Sequence, residues 1–292
     1  MNTKEKTQLS KIFKIFIFII SPCLAFLLSS CAHKILWEMP DVFEKGIICP
    51  KWEEKGFYYS DFRKILSELR EKSGIKYTQL DVIYYQTNIN SFEIFPINSY
   101  GILKNKNAQI TADNNLITSI KNAKKAGLKI VLIPKIKIIN NEENTYSRED
   151  IGFSNEEDWK KWFTSYEKFI LHYADLAQKY EIDFFSVGEG LFMTLNRTDH
   201  WQDIIMKTKR KYSGNIVFTC DWNNYKIIEK WPDIDYIAIN CYFSVAENYY
   251  SPLSEIQNGF DKWNSSIKNY METKREKPVI FTEIGHKKVL DK

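Results

Sequence analysis

The chain has 292 residues, 44% of them hydrophobic and 27% charged, which is ordinary for a soluble globular protein and allows one large α/β domain or two small ones with a sizeable core. The formal charge of +4 includes Lys4, Lys6, Lys11, Lys14 and Glu5, so the rest of the chain is close to neutral. That balance offers no electrostatic footprint for nucleic acid.

The four N-terminal lysines surround or precede an apolar stretch from Ile15 to Leu28, which runs into Leu28-Ser29-Ser30-Cys31. This is the pattern of a signal peptide, and its end resembles a bacterial lipobox. The resemblance implies that residues 1–30 are removed, that Cys31 is lipidated, and that residues 31–44 tether an exported protein to a membrane of the bacterial cell envelope. An uncleaved transmembrane anchor is the alternative. Pro22 interrupts the run, which is marginal for a spanning helix of about 20 residues.

From residue 45 to 292 the pattern is strand, helix, strand, helix in one barrel domain. Gly46 to Cys49 is a short apolar run, and Asp61 to Lys72 follows with Phe62, Ile65, Leu66 and Leu69 at helical spacing. Leu80 to Tyr85 reads as the second strand, and Gln86 to Ile110, with Pro96 and Gly101, reads as a mouth loop. Asp113 to Ala126 is a helix with Leu116, Ile120 and Ala123 on one face, closed by Gly127, and a buried strand from Lys129 to Pro134 comes directly after it.

Ser154 with Glu157 has the spacing of a capping box for a long helix to Tyr180. Its Trp159, Trp162, Phe163, Tyr166, Phe169, Ile170 and Tyr173 form a stripe expected to pack on the sheet. Strands are then expected over Asp183 to Val187, Asn215 to Cys220, Tyr236 to Asn240 and Val279 to Thr282, with helices over about His200 to Tyr212 and Ser254 to Thr273. Such alternation demands a parallel sheet. Seven strands are one fewer than a closed (β/α)₈ TIM barrel, so the expected fold is a barrel of that type truncated after strand seven.

Of the five cysteines, Cys23 would leave with the signal and Cys31 would carry lipid, while Cys49, Cys220 and Cys241 fall at strand ends. Cys220 and Cys241 are open to two readings, a disulfide between neighbouring strands or a pair of free buried thiols. No Cys/His spacing suggests a zinc site. Aromatic residues make up 15% of the chain, and most of them belong in a core.

Two strands end in a carboxylate beside glycine: Phe184-Phe185-Ser186-Val187-Gly188-Glu189-Gly190 and Val279-Ile280-Phe281-Thr282-Glu283-Ile284-Gly285. In one parallel barrel both ends lie at the same mouth, where barrel enzymes keep their chemistry. Two facing glutamates are what glycosidic bond cleavage needs, one protonating the leaving oxygen while the other attacks the sugar carbon or activates water.

The run from Lys45 to Gly285 resembles the (β/α)₈ glycoside hydrolases of clan A, most closely glycoside hydrolase family 113, whose activity is endo-β-1,4-mannanase. The pieces that carry the likeness are Tyr84-Tyr85-Gln86 with Asn88 to Pro96, Thr111 through Ala126-Gly127-Leu128-Lys129, Ile133-Pro134, Trp162-Phe163 with Tyr166 and Tyr173-Ala174, Trp222, Ile239 with Tyr242-Phe243, and Phe281 to Gly285. The resemblance implies that Glu283 is the nucleophile, that Tyr242 hydrogen-bonds it and helps hold it ionised, and that an acid/base glutamate follows strand four.

In the family pattern that acid/base falls at Gly190, which puts Glu189 one place early. Glycines 188 and 190 would permit a bulge that restores its aim. Lys135 stands where the family usually has histidine, Asn240 where an acidic residue is common, and Asp221 where asparagine precedes Trp222. Tyr85, Gln86, Asn88, Lys135, Trp222 and Asn240 are the candidate sugar contacts.

The resemblance thus implies retaining hydrolysis of a mannan-like β-linked hexose polymer or oligomer, with carboxyls about 5 to 5.5 Å apart. No metal or organic cofactor is implied, and the partners expected are a carbohydrate and, through Cys31, a membrane. A carbohydrate-binding lipoprotein derived from such an enzyme is the second reading.

Overall fold

The computed structural model describes residues 44–48, 60–97, 106–139, 146–230, 233–246, 250–274 and 277–284. The expected signal peptide, the tether apart from Glu44, Cys31 and Cys49 lie outside these residues. Contacts divide the chain after Phe43, and the unit from Glu44 to Lys292 carries every element below.

Seven strands, β1 (Gly46–Ile48), β2 (Tyr77–Gln86), β3 (Lys129–Ile138), β4 (Phe184–Glu189), β5 (Asn215–Asp221), β6 (Tyr236–Cys241) and β7 (Val279–Ile284), form one sheet in sequence order. Every neighbouring pair is parallel. The helices between them are α1 (Ser60–Ser73), α2 (Lys106–Lys125), α3 (Glu156–Lys179), α4 (Thr198–Lys211) and α5 (Leu253–Lys274).

The sheet rolls into a nearly closed (β/α) barrel, because side chains from alternate strands meet inside it. The Tyr77 ring of β2 lies edge-on to Phe184 of β4 at 6.0 Å, and Phe184 lies edge-on to Tyr236 of β6 at 5.2 Å. Side chains stacked in layers from alternate strands are how such a barrel fills its lumen.

The outer face of the sheet is the main core. All seven aromatic and aliphatic residues of the α3 stripe are buried, with Trp162, Ile170 and Tyr173 fully so. Tyr84 of β2 stacks on Phe169 at 4.4 Å, and Trp162 stacks on Tyr166 at 4.9 Å. Leu116, Ile120 and Ala123 face the same core from α2, as their spacing requires. In α1, Phe62 and Leu66 are buried, but Ile65 is exposed, because it points past the edge of the apolar face.

Two helix starts differ from expectation. α3 is capped by Asn155, whose Oδ1 accepts from the Asp158 amide at 2.9 Å, rather than by Ser154; asparagine caps as well as serine does. α2 begins at Lys106, inside the segment read as loop, and Ala108 in its first turns is buried against the barrel. Its end is as read: Gly127 has φ +74, and the amides of Gly127 and Leu128 bond back to Lys124 and Ala123. Cys220 and Cys241, on adjacent strands, are both buried and not bonded to each other.

Candidate active site

Lys135 stands at the centre of the strand C-terminal ends. Its Nζ is 3.0 Å from Asp81 Oδ2 of β2, 3.0 Å from Glu283 Oε1 of β7 and 3.9 Å from Glu189 Oε1 of β4. Burial opposes the ammonium, but the charges of Glu189, Asp81 and Glu283 outweigh it and push the Lys135 pKa up. Glu189 and Glu283 thus face one shared ammonium.

Glu283 is presented after a one-residue slip between β6 and β7. Ile239 pairs with Phe281 and Asn240 with Glu283, which leaves Thr282 as the extra residue. The slip is fastened by Thr282 Oγ1, which donates to Asn240 Oδ1 at 2.8 Å. Tyr242 donates its hydroxyl to Glu283 Oε2 at 2.6 Å, Lys135 donates to Oε1 at 3.0 Å, and Gln79 reaches Oε1 at 3.5 Å.

Burial alone would raise the Glu283 carboxyl. The Lys135 charge and the bonds from Tyr242, Lys135 and Gln79 together hold it below the usual glutamate value. Burial and the bond to Glu283 push the Tyr242 phenol up to about 12, so it stays a donor at any working pH. Asp81 is raised by burial, with Lys135 and Gln79 acting in the opposite sense.

Glu189 is brought into the same mouth by a bulge. Ser186 pairs with Val217 and Glu189 with Thr219, so β4 has one residue more than β5 between these points. Gly188 is required there, since a Cβ would lie 2.3 Å from the Phe218 ring. The carbonyls of the bulge are satisfied by side chains: Tyr166 donates to Val187 O at 2.9 Å and Ser186 Oγ to Gly188 O at 2.7 Å.

The Glu189 side chain is 1% exposed. Its Oε1 accepts from Arg148 Nη2 at 2.6 Å and from Asn240 Nδ2 at 3.1 Å, while Oε2 is buried with no hydrogen-bond partner among the described residues.

The other sequence candidates divide. Lys135 and Asn240 lie at the centre and contact the carboxylates themselves. Tyr85 shares the face of β2 that carries Asp81, and its backbone pairs with Phe95, which draws the following loop against the mouth. Trp222 is half-buried, edge-on to Trp263 at 4.8 Å and to Phe243 at 6.2 Å.

Gln86 is not brought to the mouth. It is fully buried, accepting from the Trp162 indole at 2.8 Å and donating to Asn88 O at 2.7 Å, so it ties the loop to α3. Asn88 shapes the same loop, its Oδ1 accepting from the Asn90 amide at 2.9 Å. Three residues of the site were not picked out beforehand: Gln79, Asp81 and Arg148. Asp81 had a signal, a lone carboxylate inside the apolar run Leu80 to Tyr84, whereas Arg148 had none.

A model of Glycoside Hydrolase Family 113 matches residues 51–290. The chain belongs to glycoside hydrolase family 113. The chain is therefore an O-glycosidase. No curated protein sequence matches.

Among solved structures, the GH113 β-mannanase AaManA from Alicyclobacillus acidocaldarius in complex with ManMIm is similar with a TM-score of 0.66 at 20% identity, covering 84% of this chain and 72% of its own. A GH113 β-1,4-mannanase is similar with a TM-score of 0.64 at 22% identity, covering 83% and 71%. A β-glucuronidase from Ruminococcus gnavus has a TM-score of 0.53 at 12% identity, covering 84% and 35%. These likenesses establish the barrel fold of this family 113 chain.

Proposed function

We propose that this family 113 member is a retaining β-glycosidase that cleaves mannan-like polymers or oligomers of β-linked hexose. The observation that carries the reading is the convergence of Glu189 and Glu283, from strands on different sides of the barrel, on the single ammonium of Lys135. The names of the similar GH113 structures, β-mannanases, support the sugar class.

In this mechanism Glu283, kept ionised by Lys135 and Tyr242, attacks the anomeric carbon while Glu189 protonates the departing oxygen. Glu189 then takes a proton from the water that releases the sugar. Tyr85 and Trp222 supply faces for sugar rings. Lys135, already shared among three carboxylates, orients the nucleophile.

The test is release of reducing ends from β-1,4-mannan and manno-oligosaccharides. Glu283→Ala should lower it on the order of 10⁴-fold or more, since a lost nucleophile removes the covalent route. Sugar binding with no release from any β-hexoside would instead favour the carbohydrate-binding reading.

We further propose that the protein is exported, cleaved before Cys31 and held at a membrane of the cell envelope by lipid on that cysteine. The support is the lysine-flanked apolar run ending in Leu28-Ser29-Ser30-Cys31. Cys31→Ser should abolish incorporation of labelled fatty acid and shift the protein out of the membrane fraction; an unchanged distribution and labelling would refute the anchor.

A further inference from the structure

We propose that Thr282 is the positioning residue of the nucleophile: its hydroxyl, bonded to the Asn240 amide, locks the strand slip that turns Glu283 into the barrel mouth. The inference rests on the reading of Glu283 as the nucleophile. Thr282 exchanges no proton and forms no bond with the sugar.

β6 alternates regularly. Tyr236 and Asn240 point into the lumen, where they meet Phe184 and Glu189 of β4, whereas Ile237, Ile239 and Cys241 belong to the core outside the sheet. β7 stays in phase with β6 as far as the pair Ile239 and Phe281. Pairing then resumes one residue later, with Asn240 opposite Glu283 and Cys241 opposite Ile284. Without the slip, Thr282 would stand opposite Asn240 and Glu283 opposite Cys241. One residue of register turns a side chain to the other face, so Glu283 would point away from Lys135 and Tyr242.

A bulged residue is left out of the ladder, so here the fastening falls to its side chain. Thr282 Oγ1 donates to Asn240 Oδ1 at 2.8 Å. The acceptor is itself fixed: Asn240 is 3% exposed, and its Nδ2 donates to Glu189 Oε1 at 3.1 Å. These bonds use opposite ends of one amide, so its carbonyl oxygen has to face Thr282.

The slip delivers the carboxylate to its donors, Tyr242 at 2.6 Å, Lys135 at 3.0 Å and Gln79 at 3.5 Å. The charged and titratable groups around it are Asp81 from β2, Lys135 from β3, Glu189 from β4 and Tyr242 after β6. Thr282 carries no charge. Replacing it by valine, of nearly the same shape, therefore acts on Glu283 through geometry.

Lys135, Tyr242 and Gln79 hold the Glu283 carboxyl below the usual glutamate value, so a carboxylate displaced from them gains its proton at higher pH. Activity requires the ionised form. The acidic limb of the rate profile should move upward with the displacement.

The experiment measures kcat and KM against pH on a β-1,4-manno-oligosaccharide for the unmodified chain, Thr282→Val and Thr282→Ser. Thr282→Val should lower kcat about 10- to 100-fold, as a small misplacement of a reacting group does, and shift the acidic limb of kcat/KM upward by about one unit or more. Its KM should stay within about threefold, because no sugar contact is removed. Thr282→Ser keeps the hydroxyl, so its rate should stay within about threefold and its acidic limb in place.

A Thr282→Val protein whose acidic limb does not move, or whose profile coincides with that of Thr282→Ser, overturns the proposal while leaving Glu283 as the nucleophile. No release by the unmodified chain from any β-hexoside, or undiminished release by Glu283→Ala, overturns the nucleophile reading and this proposal with it. Thr282→Ala gives the same readout should the valine variant not fold.

Discussion

At the end of β7, Glu283 keeps 14% of its side chain in contact with solvent and is met by three neutral or cationic donors. At the end of β4, Glu189 is almost wholly enclosed and one of its two oxygens takes every donor. Both glutamates follow a one-residue slip in strand pairing, yet the slips are built differently. The β4 slip needs Gly188 for close approach to Phe218 and side chains from two other elements to satisfy its carbonyls. The β7 slip is fastened by the single bond from Thr282 to Asn240.

Donors on both oxygens favour the charged form of Glu283. Glu189 instead keeps Oε2 buried, with no hydrogen-bond partner among the described residues. Asn240 belongs to both ends, donating to Glu189 and accepting from Thr282, so the two carboxylates share a mechanical link as well as the Lys135 charge.

The sharpest way to separate the two ends is Glu189→Gln. It should lower kcat/KM on manno-oligosaccharides about 10²- to 10⁴-fold, as loss of general acid catalysis does, with a far smaller effect on formation of the glycosyl-enzyme from aryl β-mannosides whose phenol leaves unaided. Equal losses on both substrate types would mean that Glu189 acts on the fold rather than on the proton.

A smaller effect is expected from Tyr242→Phe, about 10- to 100-fold in kcat/KM, in the range of one hydrogen bond to a charged group. The nucleophile works ionised, so activity falls as pH drops through the Glu283 pKa. That pKa is held down in part by Tyr242, so the acidic limb should move to higher pH in the variant. An acidic limb that stays in place would show that Lys135 and Gln79 keep Glu283 charged without the phenol.

Away from both ends, Trp162→Phe should leave kcat/KM of the folded protein within about twofold while costing about 1–3 kcal/mol of stability in a denaturant titration, because it leaves Gln86 Oε1 buried without its donor. A comparable loss of activity would place the loop after β2 in the chemistry.

Much of the fold was legible because it depends on local periodicity. The aromatic stripe of α3 and the apolar runs of β2 to β7 repeat at the spacings that helices and buried strands impose, so their order alone implied a parallel barrel. Glu283 was legible for the same reason, as a carboxylate at the end of a strand whose family pattern it matches. Glycines beside Glu189 allowed a bulge to be anticipated, but nothing comparable marked the slip at Thr282.

Other features required the tertiary structure. Gln86 follows two tyrosines of the same strand, yet alternation turns it outward onto Trp162, while Asp81 turns inward to Lys135. Arg148 comes from a connection with no periodicity, and its place over Gly190 depends on how that loop folds across the barrel mouth. Sequence determines which residues can lie on one face of an element, because backbone geometry is local. Which side chains then share one oxygen is decided by contacts between distant elements, and those exist only once the sheet has closed around them.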